Sequence, residues 1–522
     1  MMTRSNAPKA AQEAIGSGRI AALPEGWIET TLGNVVDQPR AKASPAEHPE
    51  LRFVGMDHIP PNSMSLVGSA RFGDMKSNGG LFFKGDVLYG RMRPYLNKVH
   101  VAKVCGACSA EFIVFPKSRA VDSRFLGYLL HHRRFVNFAS GFSSGDRPRV
   151  DFGDLSTYPV HLPPFGEQVR IASKIDELFS RIDEGERALQ RVQKLVERYR
   201  QSVLKAAVAG ELTREWREKH KGKLESGEAL LARILEARRE VWEKAERDKM
   251  RAKGHKPSDG RLKQKYREPS PPDTTELPEL PKGWVWGSMD QVGIVSGGLT
   301  KNKKREDHEL QRPYLRVANV YTNRLDLSEV HRIGISENEL DRVLLSKGDI
   351  LVVEGNGSID QIGRVALWDG SIEGCVHQNH LIKVRCTEVL PSWYVLVWCM
   401  SSLGREQIRG VASSTAGLHT LSISKVQALP VPIPDAEELM SIQDRFEQMD
   451  SLVLNQQKVI SVETRKSASL RQAVLRAAFS GALVPQDPAD EPASVLLERI
   501  ATERCTTSTA TTKRTRKLKQ PA

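Results

Sequence analysis

At 522 residues, with 39% hydrophobic and 27% charged side chains, the chain has material for several cores and the composition of an ordinary globular protein. Its 77 Lys+Arg against 64 Asp+Glu leave a net charge of +13, a balance that favours a polyanionic partner. No run of about 18 apolar residues occurs, which excludes a membrane-spanning helix. Six scattered cysteines in so long a chain point to a reducing, cytoplasmic setting.

Residues 1–22 carry Arg4, Lys9, Glu13 and Arg19 without an apolar core, and read as a flexible tail rather than a signal peptide. A first module, 23–166, opens on Leu23-Pro-Glu-Gly-Trp27. It continues through a strand-like run from Phe53 to Ile59, the Gly-Asp turn of Lys84-Gly-Asp-Val-Leu88, strand-like Glu111 to Phe115, and a Gly/Ser-rich loop at Ser140 to Asp146. It leaves through Tyr158-Pro-Val-His-Leu-Pro-Pro164, where proline ends the module and aims the chain into a long helical segment. Cys105 and Cys108 form a CxxC, but no second pair or His pair stands at zinc-site spacing, so a metal or redox role is not expected.

Residues 167–212 read as a long helix. Ile171, Ile175, Leu178, Ile182, Leu189, Val192, Val196, Tyr199, Val203 and Ala206 step by fours and threes, with Gly185 in one seam position, which is the seam of a coiled coil. The rise of a helix makes this a rod about 53 Å long that requires a partner helix. Residues 213–279 come next as a charged helical segment, Glu228 to Arg251, with an apolar face at Leu231, Ile234 and Leu235, and then a Pro-rich linker through Pro257, Pro269, Pro271, Pro272 and Pro278.

The first half is then written again. Residues 280–436 open on Leu280-Pro-Lys-Gly-Trp284 and repeat the strand-like run at Tyr314 to Val320, the turn at Lys347-Gly-Asp-Ile-Leu351, the strand at His380 to Val384, the polar loop at Ser413 to Gly417 and the exit Leu429-Pro-Val-Pro-Ile-Pro434. Residues 437–484 repeat the rod, with Ile442, Phe446, Met449, Val453, Ile460, Leu470, Val474 and Ala477 in the same register. Gln456, Glu463 and Ser467 stand where the first seam is apolar or small. The rods end alike, on Arg200-Gln-Ser-Val-Leu-Lys-Ala-Ala-Val-Ala-Gly210 and Arg471-Gln-Ala-Val-Leu-Arg-Ala-Ala-Phe-Ser-Gly481, each glycine suited to a left-handed helix stop. The segment 485–522 ends in a basic tail expected to be disordered, with Lys513, Arg514, Arg516, Lys517 and Lys519. The expected fold class is α+β: two similar mixed α/β modules with β-rich cores, separated by a long antiparallel two-helix coiled coil, in a pseudo-twofold internal duplication.

Catalytic signatures are missing. No Gly-Lys is followed by Ser or Thr, Gly355-Asn-Gly357 lacks a third glycine, and no Asp or Asn precedes Pro-Pro and an aromatic. Pro434-Asp435 is followed by Glu438-Leu-Met440 without the lysine of a metal-dependent nuclease, and no nucleophile turn is recognisable. The chain is therefore expected to be non-catalytic. The polar loops are the candidate binding residues: Arg91, Arg93, Tyr95, Asn97, Lys98, Arg147 and Arg149 in the first module, and Asn356, Ser358, Gln361, Arg364, His377, Gln378, Ser414 and His419 in the second. Arginine suits bidentate contacts to guanine edges and phosphates, and Asn and Gln suit adenine. Solvated turns are the competing account of each. These loops diverge between repeats whose framework is kept, as two modules that read different surfaces would.

Together the duplicated LPxGW and KGD[VI]L, the proline exit into Glu167-Gln168, the RQxVLxAAxxGxL repeat and Pro272-Asp-Thr-Thr-Glu-Leu-Pro-Glu-Leu-Pro281 resemble the specificity subunit of Type I restriction-modification systems. One departure is that Gln168 is matched by Leu439. The resemblance implies two target-recognition domains, each binding one half of a bipartite double-stranded DNA target, and paired helices that set the spacing. It implies no cofactor in this chain, two partner modification subunits that use S-adenosylmethionine to methylate adenine, and a restriction subunit that uses ATP and Mg. The exposed face with Arg187, Arg191, Lys194, Glu197 and Arg198 would dock those partners. The alternative is a duplicated coiled-coil scaffold that binds protein and holds DNA only through general basicity.

Overall fold

The computed structural model describes residues 23–37, 42–142, 147–220, 225–252, 262, 265–415 and 418–503. Both terminal tails and the centres of the two polar loops, 143–146 and 416–417, lie outside the described residues. Among the described residues, no helix is long and apolar enough to cross a membrane. The chain divides into two compact units, 1–190 with 461–522, and 191–460.

In the first unit, Ile28–Thr31 directly follows Trp27 and pairs antiparallel with Pro159–Leu162, so the opening and the proline exit of the module are hydrogen-bonded to each other. Val87–Gly90 is the central strand of a three-stranded antiparallel sheet, between Val99–Val101 and Phe112–Phe115. A five-stranded sheet lies beside it, in which Arg52–Val54 runs parallel to Gly106–Cys108. Helices Ser123–His131 and Arg133–Ser140 cover the core, where Phe125, Phe135 and Phe138 are buried.

The second unit repeats the central elements of this plan with different flanking strands. Val285–Ser288 pairs antiparallel with Pro430–Ile433, and Ile350–Val353 lies between Leu381–Cys386 and Val365–Leu367. Gln311–Leu315 runs parallel to Val376–His377, and helices Ser392–Met400 and Ser402–Val411 close the core. The KGD[VI]L turns have a direct physical origin. Gly85 and Gly348 both have φ of 93°, and the aspartates behind them are buried and cap the turn: Phe83 N donates to Asp86 at 2.7 Å and Ser346 N to Asp349 at 2.7 Å.

The strand-like runs at Phe53 and Tyr314 are shorter than the apolar pattern suggests. Each strand stops at Val54 or Leu315 and turns into a 3-10 turn, Met56–His58 or Val317–Asn319. A polar side chain closes each turn: His58 Nδ1 accepts from Gly55 N at 2.9 Å, and Asn319 Oδ1 from Arg316 N at 2.8 Å.

The long helices span Phe165–Val208 and Ala436–Ala478. In the first unit, Arg471 near the end of the second helix donates to Glu186 at 3.0 Å and pairs with Asp183, both on the first half of the first helix. In the second unit, Arg445 of the second helix donates to Leu212 O at 2.7 Å, just past the end of the first. Within each unit the two helices are thus antiparallel. Ile171, Ile175, Val203, Ile442, Val453 and Ile460 are buried, and Leu178, Ile182, Leu189, Val196, Phe446, Met449 and Val474 are half-buried.

Three expected seam residues are not packed: Val192, Tyr199 and Leu470 are 40%, 45% and 54% exposed. The reason is a change of period. Towards their ends the helices lie on module cores, and the buried set widens to Val203, Leu204, Ala207 and Val208, with Leu475 and Ala478 in the copy, which moves the apolar stripe off a strict heptad.

A repeat not legible in the heptad pattern completes each unit. Glu225-Ser-Gly-Glu-Ala-Leu-Leu-Ala-Arg-Ile234 starts the helix Gly227–Ala252, and Glu491-Pro-Ala-Ser-Val-Leu-Leu-Glu-Arg-Ile500 forms helical residues 493–503. Both carry the same ion pair, Arg233 with Glu225 and Arg499 with Glu491, each at 3.0 Å. Both start against an LPxGW turn: Gly227 N donates to Gly283 O, and Ala493 N to Gly26 O.

Candidate nucleic-acid interface

The polar loops occupy the same place in both units. In the first, the chain leaving Val87–Gly90 is tied to the loop after the helix pair: Arg93 N donates to Pro148 O at 2.8 Å, Val150 N to Arg91 O at 3.1 Å, and Met92 bridges Arg149. In the second, Gly355 pairs with Thr420 and Asn356 with His419, while Ser414 faces His419 from the far side. The shared framework therefore brings two separate polar segments together in each unit.

In the first unit this collects Arg91, Arg93, Arg147 and Arg149. Arg93 and Asn97 both adopt left-handed backbone, φ 53° and 49°, on either side of the short turn Pro94–Leu96. That conformation is costly for residues other than glycine, and here it bends the loop outward so that Tyr95 is 52% exposed. Arg149 makes a bidentate pair with Glu111 at 2.9 and 2.7 Å. Its hydrogen bonds hold the Glu111 carboxyl below the usual range, with Arg91 and Lys42 adding to the effect, so the cluster keeps an excess of positive charge. Two expected contacts are internal instead. Asn97 donates to His131 O at 3.0 Å and the Lys98 ammonium to Met56 O at 2.6 Å, both buried. They hold the loop's shape, because a buried polar group must find its partner inside the protein.

In the second unit Asn356, Ser414 and His419 share a three-stranded sheet, and Ser358 and Gln361 are exposed on the adjoining turn. The Arg364 guanidinium lies 5.5 Å from the Tyr321 ring centre, and Arg324 lies 4.6 Å from it. His377 does not belong to the surface. It is fully buried, its Nδ1 lies 2.9 Å from Val343 O, and burial with the nearby Lys383 keeps it neutral down to about 4. Gln378 is half-buried and its side-chain oxygen accepts from Val317 N at 3.4 Å, a framework contact. Sequence reading missed Tyr321 and Arg324, which flank the turn between Val320–Tyr321 and Arg324–Leu325. An Asn323 with φ 52° between an aromatic and an arginine was the local signal.

Cys108 of the CxxC is buried, which pushes its thiol up to about 12, while Cys105 is exposed. Among the described residues, no group of three or more His, Cys, Asp or Glu side chains is placed to hold a metal ion.

The family model described as Type I restriction modification DNA specificity domain matches residues 24–193. The chain is 24% identical over 413 residues to the Type I restriction enzyme EcoKI specificity subunit of Escherichia coli strain K12, covering 77% of this chain and 74% of that one. It is 30% identical over 224 residues to the EcoDI specificity subunit of Escherichia coli, covering 42% of this chain and about half, 49%, of that protein. The StySPI specificity subunit of Salmonella potsdam is 24% identical over 412 residues, 77% of this chain and 74% of that one. The fold of the present chain matches a chain from a structure described as the structural basis of complex assembly and conformational transition of the Type I restriction-modification system, with TM-score 0.62, 18% identity and coverage of 89% of this chain and all of that one. A domain of the Type I restriction modification DNA specificity type thus matches the first module and the start of its helix, and over about three quarters of its length the chain is similar to Type I restriction enzyme specificity subunits.

Proposed function

We propose that this chain is the non-catalytic DNA-specificity subunit of a Type I restriction-modification complex, and that each unit reads one half of a bipartite duplex target. The observation that carries the reading is the pairing of two polar segments at the same point of a duplicated framework, with Arg91, Arg93 and Arg149 in one unit and Asn356, Ser414 and His419 in the other. One scaffold that presents two different sets of donors and acceptors suits two different base sequences.

The long helices act as the spacer between half-sites. Their exposed apolar residues, Val192, Leu195 and Tyr199 on the first and Leu452 and Val459 on the second, together with Arg187, Arg191, Lys194, Glu197 and Arg198, form the docking surface for two modification subunits. Those partners supply S-adenosylmethionine and methylate adenine, and a restriction subunit supplies ATP- and Mg-dependent cleavage, in the cytoplasm. This chain contributes only recognition and geometry.

The experiment is reconstitution with the modification subunit, followed by mapping of methylated bases. A two-part target is expected, and deletion of one heptad from each helix is expected to shorten its spacer. Methyl transfer by the isolated chain, or a spacer unaffected by the deletion, would overturn the corresponding part.

A further inference from the structure

Beside the polar loop of the second unit lies a recess of about 310 Å³ whose walls carry Arg364, Arg405, Arg409, Ser402, Thr322 and Asp360. Arg364 closes the loop that begins at Gly355, and Arg405 and Arg409 stand one turn apart on the helix Ser402–Val411, so three guanidinium groups meet from two elements. Arg405 is fixed by the backbone, donating to Gly363 O at 2.9 Å and Asp360 O at 3.1 Å. Burial, with Arg409 next to it, weakens its hold on its proton. Asp360 pairs with Arg409 at 2.9 Å but is 72% exposed. The Nε of Arg364 is buried and has no hydrogen-bond partner in its surroundings.

Three guanidinium groups facing one exposed carboxylate leave a recess with uncompensated positive charge, which an anion would relieve. The planar guanidinium fork matches the oxygens of phosphate. The equivalent recess of the first unit has the opposite character. Gln472 lines it where Gln201 lines the other, at the same position of the two RQxVL motifs, but its walls carry Asp176, Asp183 and Glu186 against Lys103 and Arg471, so acids outnumber bases there.

We infer that the Arg364, Arg405 and Arg409 recess is a phosphate site that takes one backbone phosphate of the duplex held by the second unit, without a counterpart in the first. The inference rests on the DNA-specificity reading and adds to it residues that position the duplex without reading bases. The DNA backbone is the source because Arg364 and Asp360 belong to the same loop as Asn356, Ser358 and Gln361, so a phosphate held there fixes that loop's register on the duplex.

The test measures binding of the full-length chain to a mixed-sequence duplex by fluorescence anisotropy through a salt titration. One lost phosphate contact reduces the slope of log affinity against log salt by about 0.9. The double variant R364Q/R409Q is expected to show that loss and to bind all sequences more weakly. R409Q alone changes a side chain that is 45% exposed and paired with exposed Asp360, so the fold tolerates it, and it is expected to flatten the slope in part. An unchanged slope in both variants overturns the assignment while leaving the specificity reading intact. Line broadening of inorganic phosphate or ATP in phosphorus NMR, abolished by R364Q/R409Q while the slope is unchanged, assigns the recess to a free anion and likewise overturns it. Absence of duplex binding by the unaltered chain overturns both readings together.

Discussion

Trp27 donates its indole N–H to Glu167 at 3.0 Å, tying the last residue of the LPxGW turn to the first turn of a helix that begins only after the module is complete. The copy, Trp284 to Glu438 at 2.8 Å, does the same in the second unit. In each unit one buried hydrogen bond thereby ties the opening turn of the module to the module's own helix.

The two locks differ in their surroundings, and the difference is measurable. Glu438 also accepts from Thr213 at 2.6 Å and pairs with Arg217, whereas one oxygen of Glu167 is left without a partner. Glu438→Gln is expected to cost about 3 kcal/mol, because it leaves a largely buried guanidinium uncompensated. Glu167→Gln, which keeps an acceptor for Trp27, is expected to cost less than about 1 kcal/mol. Denaturant unfolding of the two variants compares them. Burial raises the Glu167 carboxyl above its ordinary value, and the bond from Trp27 opposes this only partly. A raised acid stabilises the fold below its unfolded value and loses that contribution as pH rises through the folded one. Glu167→Gln should therefore remove a decline in stability above the ordinary carboxylate range.

The glycines that end the long helices are fixed by what they touch. Gly481 has φ 75°, and a Cβ there would stand 2.5 Å from the Pro24 ring. Gly210 has φ 68°, with a Cβ 2.7 Å from Pro281. Each helix end thus packs on an LPxGW turn. Gly481→Ala and Gly210→Ala are each expected to destabilise by about 2 kcal/mol or more, from left-handed strain and the clash together, with Tm as the readout. A Tm equal to that of the parent would contradict this packing.

Acid should unfold the protein through its histidines. His132 and His377 are buried and His131 is half-buried, and all three are held to about 4, desolvation being the largest cause in each case. A histidine with a lowered folded value contributes stability above its unfolded value that is lost as pH falls towards the folded one. Stability should therefore drop between about 6.5 and 4, by up to a few kcal/mol in total after relaxation. Thermal melts across that range should show it, and His377→Gln should show a shallower loss. A flat profile would contradict the burial of these rings.

Loop residues of the first unit separate into two kinds. Tyr95→Ala and Arg93→Ala remove exposed groups and should weaken DNA binding with Tm nearly unchanged. Lys98→Ala removes the buried donor to Met56 O and should lower stability by about 1 to 3 kcal/mol. Loss of stability in Tyr95→Ala would move that residue into the framework.

The framework was legible because its signals are local or periodic. The Gly-Asp turns need glycine at φ 93°, the proline exits cannot be helical, and the rods repeat in one register. The loop residues were legible only by chemical type, which does not tell a surface donor from a buried one: Arg93 and Tyr95 project, while Asn97, Lys98 and His377 turn inward to carbonyl groups. The helix at 493–503 escaped notice because a different spacer after Gly481 breaks the register that Gly210 and Glu225 establish. Arg364 joins Tyr321 and Arg324 only in three dimensions.

Under the proposed function, two independent readers share one chain. Replacing Leu23 to Pro164 by the equivalent module of a related specificity subunit, reconstituting with the modification subunit and sequencing the methylated bases tests it most directly. One half of the recognised sequence is expected to change while the other half and the spacer stay as they were; a change in both halves, or in neither, would overturn the two-reader proposal.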